Sequence, residues 1–423
     1  MSEKKRTVLV PKYLTNFACI GPECEDTCCV GWGVTIDKDT YKKYTELKHE
    51  TLTVELEQNV KRNRSKPSKE NYAKIKLQGS SCPFLAEDKL CSIQKQMGEE
   101  YLSITCTTYP RISNKVNDIL EKSATMSCPE VARLALLQPE PMEFLYIEES
   151  SEIRNGMNRV IDTTNDLTPY KLENHLWELR VFTIQVLQNR NYNLNERLIM
   201  LGMFYQKAQA FVDEGRTNEL PKLIGVYTQL IAEGAFDQQL KEVPSQVTIQ
   251  MKLLKEMADH RFSQGITNQR YFECLANFLN GIEYRLEDTV EQNAERYQDA
   301  YGHYYYPFMS DHEYIYENYL VNYVFKNMFP LSGEKELFDN YVVMILHYAL
   351  IKMHLIGMSR LYKGLTTDLI IKLIQSFAKT VEHNKAYMTK MMNILRENGY
   401  TTMAYMSILI NDPVPKQATY HIH

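Results

Sequence analysis

Residues 17–37 read FACIGPECEDTCCVGWGVTID. Four cysteines fall within this segment in the pattern C-x4-C-x3-C-C, and Gly21, Gly31 and Gly33 interrupt it. Close spacing lets several thiolates converge without the entropic cost of closing a long loop, and glycine lets backbone amides approach the sulfur atoms. We therefore predict that residues 1–36 form loops and turns that wrap around a metal centre.

The cysteines of the whole chain are unevenly distributed. Cys274 stands alone in the last two thirds, within an amphipathic stretch that indicates a buried core position. The other eight precede residue 130: Cys19, Cys24, Cys28, Cys29, Cys82, Cys91, Cys106 and Cys128. The adjacent thiols of Cys28 and Cys29 cannot easily both reach one small ion, so we expect only a subset of the eight to be metal ligands.

The compartment decides how such a cluster of cysteines is interpreted. Residues 1–14, MSEKKRTVLVPKYL, carry basic residues without the apolar core of a secretory signal, so we expect a cytoplasmic protein. In a reducing cytosol, metal ligation is a better interpretation of clustered cysteines than disulfides or buried apolar thiols, although both alternatives stay open.

Composition limits the classes of partner. The 423 residues are 44% hydrophobic, with a formal net charge of -5, which gives no overall basic field for binding nucleic acid or an anionic membrane surface. The most apolar stretch, Tyr341 to Ile351, is too short to cross a bilayer, and we predict a buried helix there.

Periodicity indicates a mainly α fold: a cysteine-rich loop and helix metal-binding region over residues 1–138, followed by a large all-α helical domain over residues 139–423. In the first region we predict a helix from Asp39, as its N-cap, to about Lys61, and a short helix from Pro129. Convincing strands are absent from the second region, where eleven amphipathic segments follow one another. They cover about 171–190, 193–214, 217–233, 245–260, 267–282, 286–300, 312–329, 336–356, 366–380, 384–397 and 400–411.

Five blocks of this sequence resemble the flagellin lysine N-methylase family. Four lie near the cysteines: FACIGPECEDTCCVGWGVTIDKDTYKKY (17–44), SCPFLAEDKLCSIQ (81–94), TCTTYPR (105–111) and MSCPEVARLAL (126–136). The fifth, ENYLVNYVFKNMFPL (317–331), lies in the helical part. The cysteine region also resembles a wider group of zinc- or iron-chelating domains, and membership of that group alone would imply only metal binding.

The methylase resemblance implies methyl transfer from S-adenosylmethionine to side-chain amines of flagellin lysines, by an enzyme that carries a [4Fe-4S] cluster. It implies that the cluster ligands come from the eight N-terminal cysteines, without showing which four. The chain lacks a C-x3-C-x2-C triplet, so conventional radical cleavage of S-adenosylmethionine is not expected. A cluster held by three cysteines would leave one iron free to bind the cofactor.

Cofactor binding by a Rossmann-like loop is not expected, since the chain has no G-x-G-x-x-G element and no alternation of strands and helices. Glu25, Asp26, Tyr109 and Arg111 are the polar residues that we expect near the centre. Arg111 could pair with a carboxylate of the cofactor or of the protein. Methyl transfer also needs a deprotonated lysine. Candidate residues for that step are Tyr109, Glu317, Asn318 and Asn322, although hydrogen bonding between buried helices is the alternative for the two asparagines.

Two other functions stay open from the residues alone. A thiolate cluster equally fits a non-catalytic, zinc-stabilised module that binds a protein partner. An iron–sulfur redox protein is the third candidate, although no flavin or nicotinamide loop accompanies the cysteines. The oligomeric state is not predicted.

Overall fold

The computed structural model describes residues 4–163, 171–263, 265–285 and 287–413. Contacts divide the chain into two compact units. Within the described residues, the N-terminal unit comprises 4–134 and Glu143–Val160, and the helical unit comprises Ala135–Met142 and 161–413.

Eight strands lie within residues 4–161. They are β1 (Lys5–Pro11), β2 (Thr35–Ile36), β3 (Val60–Arg62), β4 (Ala73–Ile75), β5 (Arg111–Val116), β6 (Ile119–Ala124), β7 (Phe144–Ser150) and β8 (Met157–Ile161). Five form a sheet in the order β7-β1-β6-β5-β8, and three form a small sheet in the order β2-β4-β3. The prediction of loops alone over residues 1–36 is therefore wrong, as is that of an all-α region from residue 139.

Burial explains why the sequence did not predict strand β1. Val8, Leu9 and Val10 are all buried, so the strand lacks the alternation of apolar and polar residues that marks a half-exposed strand. Val8 pairs with Ile147 of antiparallel β7 and with Leu120 of parallel β6, so its partners are remote in sequence. β5 and β6 form a hairpin whose turn begins at Asn117, with a φ of 54°.

Five helices precede residue 137: α1 (Lys38–Glu46), α2 (Leu52–Asn59), α3 (Ser92–Met97), α4 (Ile104–Thr108) and α5 (Pro129–Leu136). The predicted start at Pro129 is confirmed. The single helix predicted from Asp39 to Lys61 is instead two helices, because the chain is extended at Leu47 and turns before α2. The N-cap is Asp37, whose Oδ1 accepts a hydrogen bond of 2.9 Å from the Thr40 amide.

The helical unit confirms a mainly α fold. Its helices are α6 (Leu176–Leu187), α7 (Leu194–Asp213), α8 (Leu220–Ala232), α9 (Asp237–Glu242), α10 (Val247–Ser263), α11 (Gln269–Gly281), α12 (Val290–Ala300), α13 (Tyr306–Met309), α14 (Tyr314–Lys326), α15 (Leu337–Tyr362), α16 (Thr367–Phe377), α17 (Lys385–Glu397) and α18 (Met403–Ile410). Every predicted segment contains a helix. The sequence did not predict α9, α13 or the π-helical turns Tyr301–Tyr305 and Ala378–Glu382.

Helix α15 is the centre of the helical unit. By length and composition alone this 26-residue helix could cross a membrane, but 94% of its most apolar window is buried inside the protein. The predicted buried helix is thus confirmed. α15 crosses α11 at a glycine pair, where a Cβ added to Gly281 would lie 1.8 Å from the carbonyl oxygen of Gly357. Only glycine at both positions permits so close an approach of two helix backbones.

Candidate metal centre

Backbone pairing joins the first two cysteine segments of the N-terminal unit. The amide of Cys82 donates to the carbonyl of Cys29 at 2.8 Å, and the amide of Gly31 donates to the carbonyl of Ser80 at 2.8 Å. Gly31 has a φ of 91°, a left-handed conformation that glycine adopts without strain. Residues about fifty positions apart in the sequence are held side by side in this way.

Five thiols line one cavity of about 70 Å³. They belong to Cys28, Cys29, Cys82, Cys91 and Cys106. The remaining walls are mainly apolar or aromatic, among them Val34, Ile36, Ile75, Phe84, Ile93 and Leu102. We call this the five-thiol cavity. Its apolar walls provide few partners for water and give the sulfur atoms a surrounding of low dielectric constant.

Local structure positions two of these thiols. Cys91 is the N-cap of α3, and its sulfur lies near the amides of Ile93 and Gln94. Cys106 lies in α4, whose N-cap Ser103 accepts a hydrogen bond of 3.2 Å from the Cys106 amide. Amide donors near sulfur stabilise a thiolate and tune the metal that it binds.

Burial keeps most of these thiols protonated in the absence of a metal. It raises the pKa of Cys106 to about 11. The hydrogen bond with Cys28 lowers the pKa of Cys29, but the hydrogen bond with Cys82 and burial outweigh it, and that pKa is raised to about 12. The pKa of Cys82 is lowered, mainly by its hydrogen bond with Cys29. Metal binding at the five-thiol cavity would therefore release protons.

The other three N-terminal cysteines, Cys19, Cys24 and Cys128, do not line the cavity, and we call them the three-thiol group. Cys19 is exposed and the other two are half-buried. Each interacts electrostatically with another member of the group, since Cys19 raises the pKa of Cys24 while Cys19 and Cys24 raise that of Cys128. Burial is the larger cause of both shifts.

An ion pair holds the two parts of the three-thiol group together. Glu25, next to Cys24, pairs at 2.8 Å with Arg133 of α5, the helix that begins directly after Cys128. The amides of Glu130 and Val131, in the first turn of α5, lie near the Cys128 sulfur. The N-terminal end of α5 thus favours a thiolate at Cys128.

Tyr109 lies between the two sets of thiols. Its ring lines the five-thiol cavity and packs on Trp32, with ring centroids 5.6 Å apart. Its hydroxyl hydrogen-bonds with Ser127 at 3.1 Å, next to Cys128. Burial raises the pKa of Tyr109 well above its ordinary value, and Cys128, Cys28 and Asp26 add to the shift.

The structure places the predicted cofactor residues in the N-terminal unit. Glu25 is engaged by Arg133, and Asp26 accepts a hydrogen bond of 2.8 Å from the amide of Thr27. Arg111 begins β5, and its guanidinium lies 4.9 Å from the ring centroid of Phe17. Their assignment to cofactor binding stays a prediction.

The three remaining catalytic candidates, Glu317, Asn318 and Asn322, lie in α14 of the helical unit. The Glu317 carboxylate, 1% exposed, pairs with Arg190 at 2.9 Å and with Arg197 at 2.7 Å. The Asn318 amide donates to the carbonyl of Gln138 at 2.7 Å, while its Oδ1 has no hydrogen-bond partner. Asn322 is buried. A catalytic role for the three stays a prediction, and these contacts are those of a buried helix that is held by polar bonds.

Sequence reasoning missed a second buried polar cluster in the helical unit. Lys326 and Tyr319 of α14 hydrogen-bond with Glu382 of the second π-helical turn at 2.7 and 2.6 Å. Both ring nitrogens of nearby His347 are buried without a partner. The one signal in the sequence was a lysine at the end of α14, and nothing there pointed to residue 382.

Across residues 4–163, 171–263, 265–285 and 287–413, no three or more His, Cys, Asp or Glu side chains are arranged to hold one metal ion. All nine cysteines are free thiols. Five of them line the five-thiol cavity, and metal binding there stays a prediction.

Comparisons with known proteins identify relatives of the chain. Residues 180–409 match the model of the FliB lysine N-methylase C-terminal domain. Lysine-N-methylases of Salmonella typhimurium and Salmonella choleraesuis are each 25% identical over 393 residues, which cover 90% of this chain and 93% of the relative. The flagellar biosynthetic protein FliU of Salmonella muenchen is 38% identical over 144 residues, or 33% of this chain and 82% of FliU. No solved structure matches.

Proposed function

Because the chain belongs to the FliB lysine N-methylase family, we propose that it is a lysine methyltransferase that moves methyl groups from S-adenosylmethionine to lysines of flagellin. The observation that carries this proposal is the match to relatives named lysine-N-methylase, which extends over 90% of the chain and therefore over both units. The printed names FliB and FliU associate the family with the flagellum and support flagellin as the protein substrate.

The proposed reaction is a polar displacement. The lone pair of a neutral lysine ε-amine attacks the methyl carbon of the sulfonium, a nitrogen–carbon bond forms, and the carbon–sulfur bond breaks with its electron pair passing to sulfur. The products are a methylated amine and S-adenosylhomocysteine, and the amine proton passes to a base. No oxidant or reductant is consumed. This reaction agrees with the absence of the C-x3-C-x2-C triplet from the sequence.

We further propose that the thiols of the N-terminal unit hold a [4Fe-4S] cluster. The support is the five-thiol cavity, in which four thiols are enough for a cluster and the apolar walls exclude competing water ligands. When bound, a cluster supplies the covalent cross-links between the two cysteine segments and, where an iron lacks a thiolate, a Lewis-acidic position for a small ligand.

The chain's own residues bind and orient the reactants in this proposal. Tyr109 keeps its proton because its pKa is raised, so its hydroxyl can donate a hydrogen bond to a cofactor carboxylate. Glu25 and Asp26 follow Cys24 in the sequence, and Arg133 neutralises the charge of Glu25. A cytoplasmic location, where thiols stay reduced, is part of the same proposal.

The experiment begins with anaerobic purification, an absorption spectrum, and analysis of iron, sulfide and zinc. Purified flagellin and S-adenosylmethionine with a labelled methyl group are then added, and the label on lysine is located by mass spectrometry. We expect a brown protein with matching iron and sulfide, and label on flagellin lysines. Flagellin whose lysines have been acetylated is the matched control and should stay unlabelled.

A colourless protein with stoichiometric zinc, and no label on flagellin, would contradict the proposal and leave a zinc-stabilised binding module. Label on flagellin with a metal-free protein would contradict the cluster and keep the methyltransferase. An iron–sulfur protein that labels nothing, but cycles reversibly between redox states with a product, would leave the redox function.

A further inference from the structure

We propose that the hairpin of β3 and β4 is a docking site that binds an acidic surface of the protein substrate, apart from the lysine that reacts. The hairpin comprises residues 60–76, and we call it the basic hairpin. This inference rests on the proposed function for the kind of partner, a protein substrate. The site itself rests on the charge, register and exposure of the hairpin's own residues.

The first observation is a concentration of positive charge. Residues 61–76 contain seven basic residues and one acidic residue, Glu70, in a chain whose formal net charge is -5. The seven basic side chains are all exposed, and they are Lys61, Arg62, Arg64, Lys66, Lys69, Lys74 and Lys76. Lys69 pairs with Asp39 at 3.6 Å, in a pair whose two side chains are each at least 70% exposed. No carboxylate in the part of the chain that the structure describes forms an ion pair with the other six.

The second observation is the register of the two strands. Lys61 of β3 lies directly opposite Lys74 of β4. Like charges directly opposite each other destabilise a sheet, because their side chains extend from the same face. Lys76, two residues beyond Lys74, is exposed as well. The hairpin therefore contains a repulsion that an acidic group bound between these lysines would relieve.

The third observation is that hydrogen bonds fix the loop between the strands. Asn63 is buried, and its side-chain amide donates to the carbonyls of Lys66 and Asn71 at 3.0 and 3.3 Å. The Arg62 guanidinium lies 3.7 Å from the ring centroid of Tyr72 and donates to its hydroxyl at 2.6 Å. A charged loop that is already held in one shape loses little conformational entropy when a partner binds.

The opposite face of the basic hairpin belongs to the core around the thiols. Val60, Ala73 and Ile75 are buried in that core, and Ile75 lines the five-thiol cavity. Because successive residues of a strand point to opposite faces, Lys61 and Lys74 point away from the cavity. A partner on the basic hairpin therefore binds to the same unit as the candidate centre without filling it. This arrangement suits a docking site that holds a substrate while another part of the substrate reacts.

The chemistry of the basic hairpin favours an acidic protein over other anionic partners. Its one aromatic residue, Tyr72, is half-buried beneath Arg62 and is not displayed for stacking of nucleic-acid bases. Among residues 60–76 no large apolar side chain is exposed, so the hairpin lacks the residues that anchor a protein in a membrane surface. Arg62 presents a planar guanidinium, which suits a carboxylate. Complementary charge on a protein substrate would raise its rate of association.

The test compares two variants of the full chain that change its net charge equally. The hairpin variant combines three substitutions, Lys66→Glu, Lys74→Glu and Lys76→Glu. The control variant changes three exposed lysines of the helical unit, with Lys222→Glu, Lys241→Glu and Lys390→Glu. Binding of labelled flagellin to each protein is measured by fluorescence anisotropy, without S-adenosylmethionine, at low and at high salt.

In the hairpin variant we expect the dissociation constant for flagellin to rise about tenfold at low salt, because repulsion replaces attraction. The wild type and the control variant should bind flagellin alike, and salt should weaken both by screening the charges. In methylation assays the hairpin variant should have a higher KM, with kcat within about twofold of the wild type, since the docking site does not touch the reacting lysine. A variant that keeps the charge should bind like the wild type, and it combines Lys66→Arg, Lys74→Arg and Lys76→Arg.

Equal affinity of the folded hairpin and control variants for flagellin would overturn the inference, as would flagellin binding by the wild type that salt does not weaken. Vesicles of anionic lipid and duplex DNA are titrated in parallel. A hairpin variant that loses affinity only for one of these would overturn the inference in favour of a membrane or of nucleic acid.

If circular dichroism shows that the hairpin variant does not fold, Lys66→Glu alone, in the loop, replaces it. This single change should raise the dissociation constant about twofold, and an unchanged value would overturn the inference. Because binding is measured without the methyl donor, failure of the proposed methyl transfer leaves this test intact. An unchanged affinity overturns the docking site alone and leaves the methyltransferase function standing.

Discussion

The two units bury polar groups in opposite ways. The helical unit supplies its own counter-charges, since Glu317 lies against Arg190 and Arg197, and Glu382 lies against Lys326. The N-terminal unit instead packs five thiols around a space that protein atoms do not fill. A buried charge with a protein partner needs no further ligand, whereas we expect the proposed metal to stabilise the cavity lined by thiols. Stability should therefore depend on metal in one unit and on protonation in the other.

Removing two cavity thiols should have the largest effect on the difference in stability between the two units. In Cys82→Ser/Cys91→Ser we expect the N-terminal unit to lose a metal contribution on the order of 10 kcal/mol and to unfold at lower temperature. The helical unit should keep its own transition in calorimetry. Cys274→Ala is the matched control, and its metal content should equal that of the wild type. Unchanged unfolding of the N-terminal unit after metal loss would contradict the expectation.

Removing Glu317 tests the helical unit's own counter-charges. Glu317→Ala leaves the Arg197 side chain, 2% exposed, without its buried partner, and should cost about 3–5 kcal/mol of unfolding free energy. Glu313→Gln, which weakens the half-exposed pair of the same arginine, should cost less. Urea unfolding followed at 222 nm measures both. Equal costs for the two variants would show that burial of the pair does not decide its strength.

Acid should destabilise the helical unit, because His347 of α15 is buried in its neutral form. Burial lowers the pKa of His347 to about 4, while in the unfolded chain the pKa is about 6.5. Between these two pH values the unfolded state binds a proton at this histidine and the folded state does not. The contribution of His347 to stability is therefore complete above about pH 6.5 and falls by about 3 kcal/mol as the pH drops to 4. Burial also lowers the pKa of His354 and of His383 to about 4, so these histidines add losses of their own. His347→Phe should remove the His347 share of the loss and be no less stable at pH 7.5, since both ring nitrogens lack partners. An unchanged pH profile would contradict the assignment.

The glycine pair tests packing within the helical unit on a smaller scale. Gly281→Ala places a methyl group against the backbone of Gly357 and should cost about 1–3 kcal/mol, with separation of α11 from α15. Gly225→Ala in α8 is the matched control, because nothing lies within 4 Å of its added Cβ. It should stabilise the protein by up to about 1 kcal/mol through helix propensity. Thermal unfolding of both variants gives the comparison.

Helices were predictable from the sequence for a local reason. An amphipathic helix shows its buried face within a single turn, and all eleven segments predicted beyond residue 165 contain one. Strand β1 shows nothing comparable, because Val8 finds its partners at Leu120 and Ile147. The π-helical turns Tyr301–Tyr305 and Ala378–Glu382 were also not predicted, since no local composition marks a π-helical turn.

The candidate centre was predictable as a set of cysteines but not as an arrangement. Eight thiols within 130 residues indicated metal binding, and the structure brings five of them to one cavity. Sequence spacing suggested that Cys24 and Cys28 act together, yet Cys28 lines the cavity and Cys24 does not. Tyr109 was predicted near the thiols and lies there, whereas the burial of Glu317 between two arginines depends on α6 and α7, which no motif reveals.

The order of strands in the larger sheet bears on how the protein is made. During translation β1 leaves the ribosome first, but it lies between β6 and β7, and β7 is synthesised only after Cys128. All eight N-terminal cysteines are therefore synthesised before β7 can pair with β1. Any metal delivered to the growing chain would meet an incompletely folded site. A chain that ends near residue 138 would carry all eight N-terminal cysteines but would leave the β7 side of β1 unpaired.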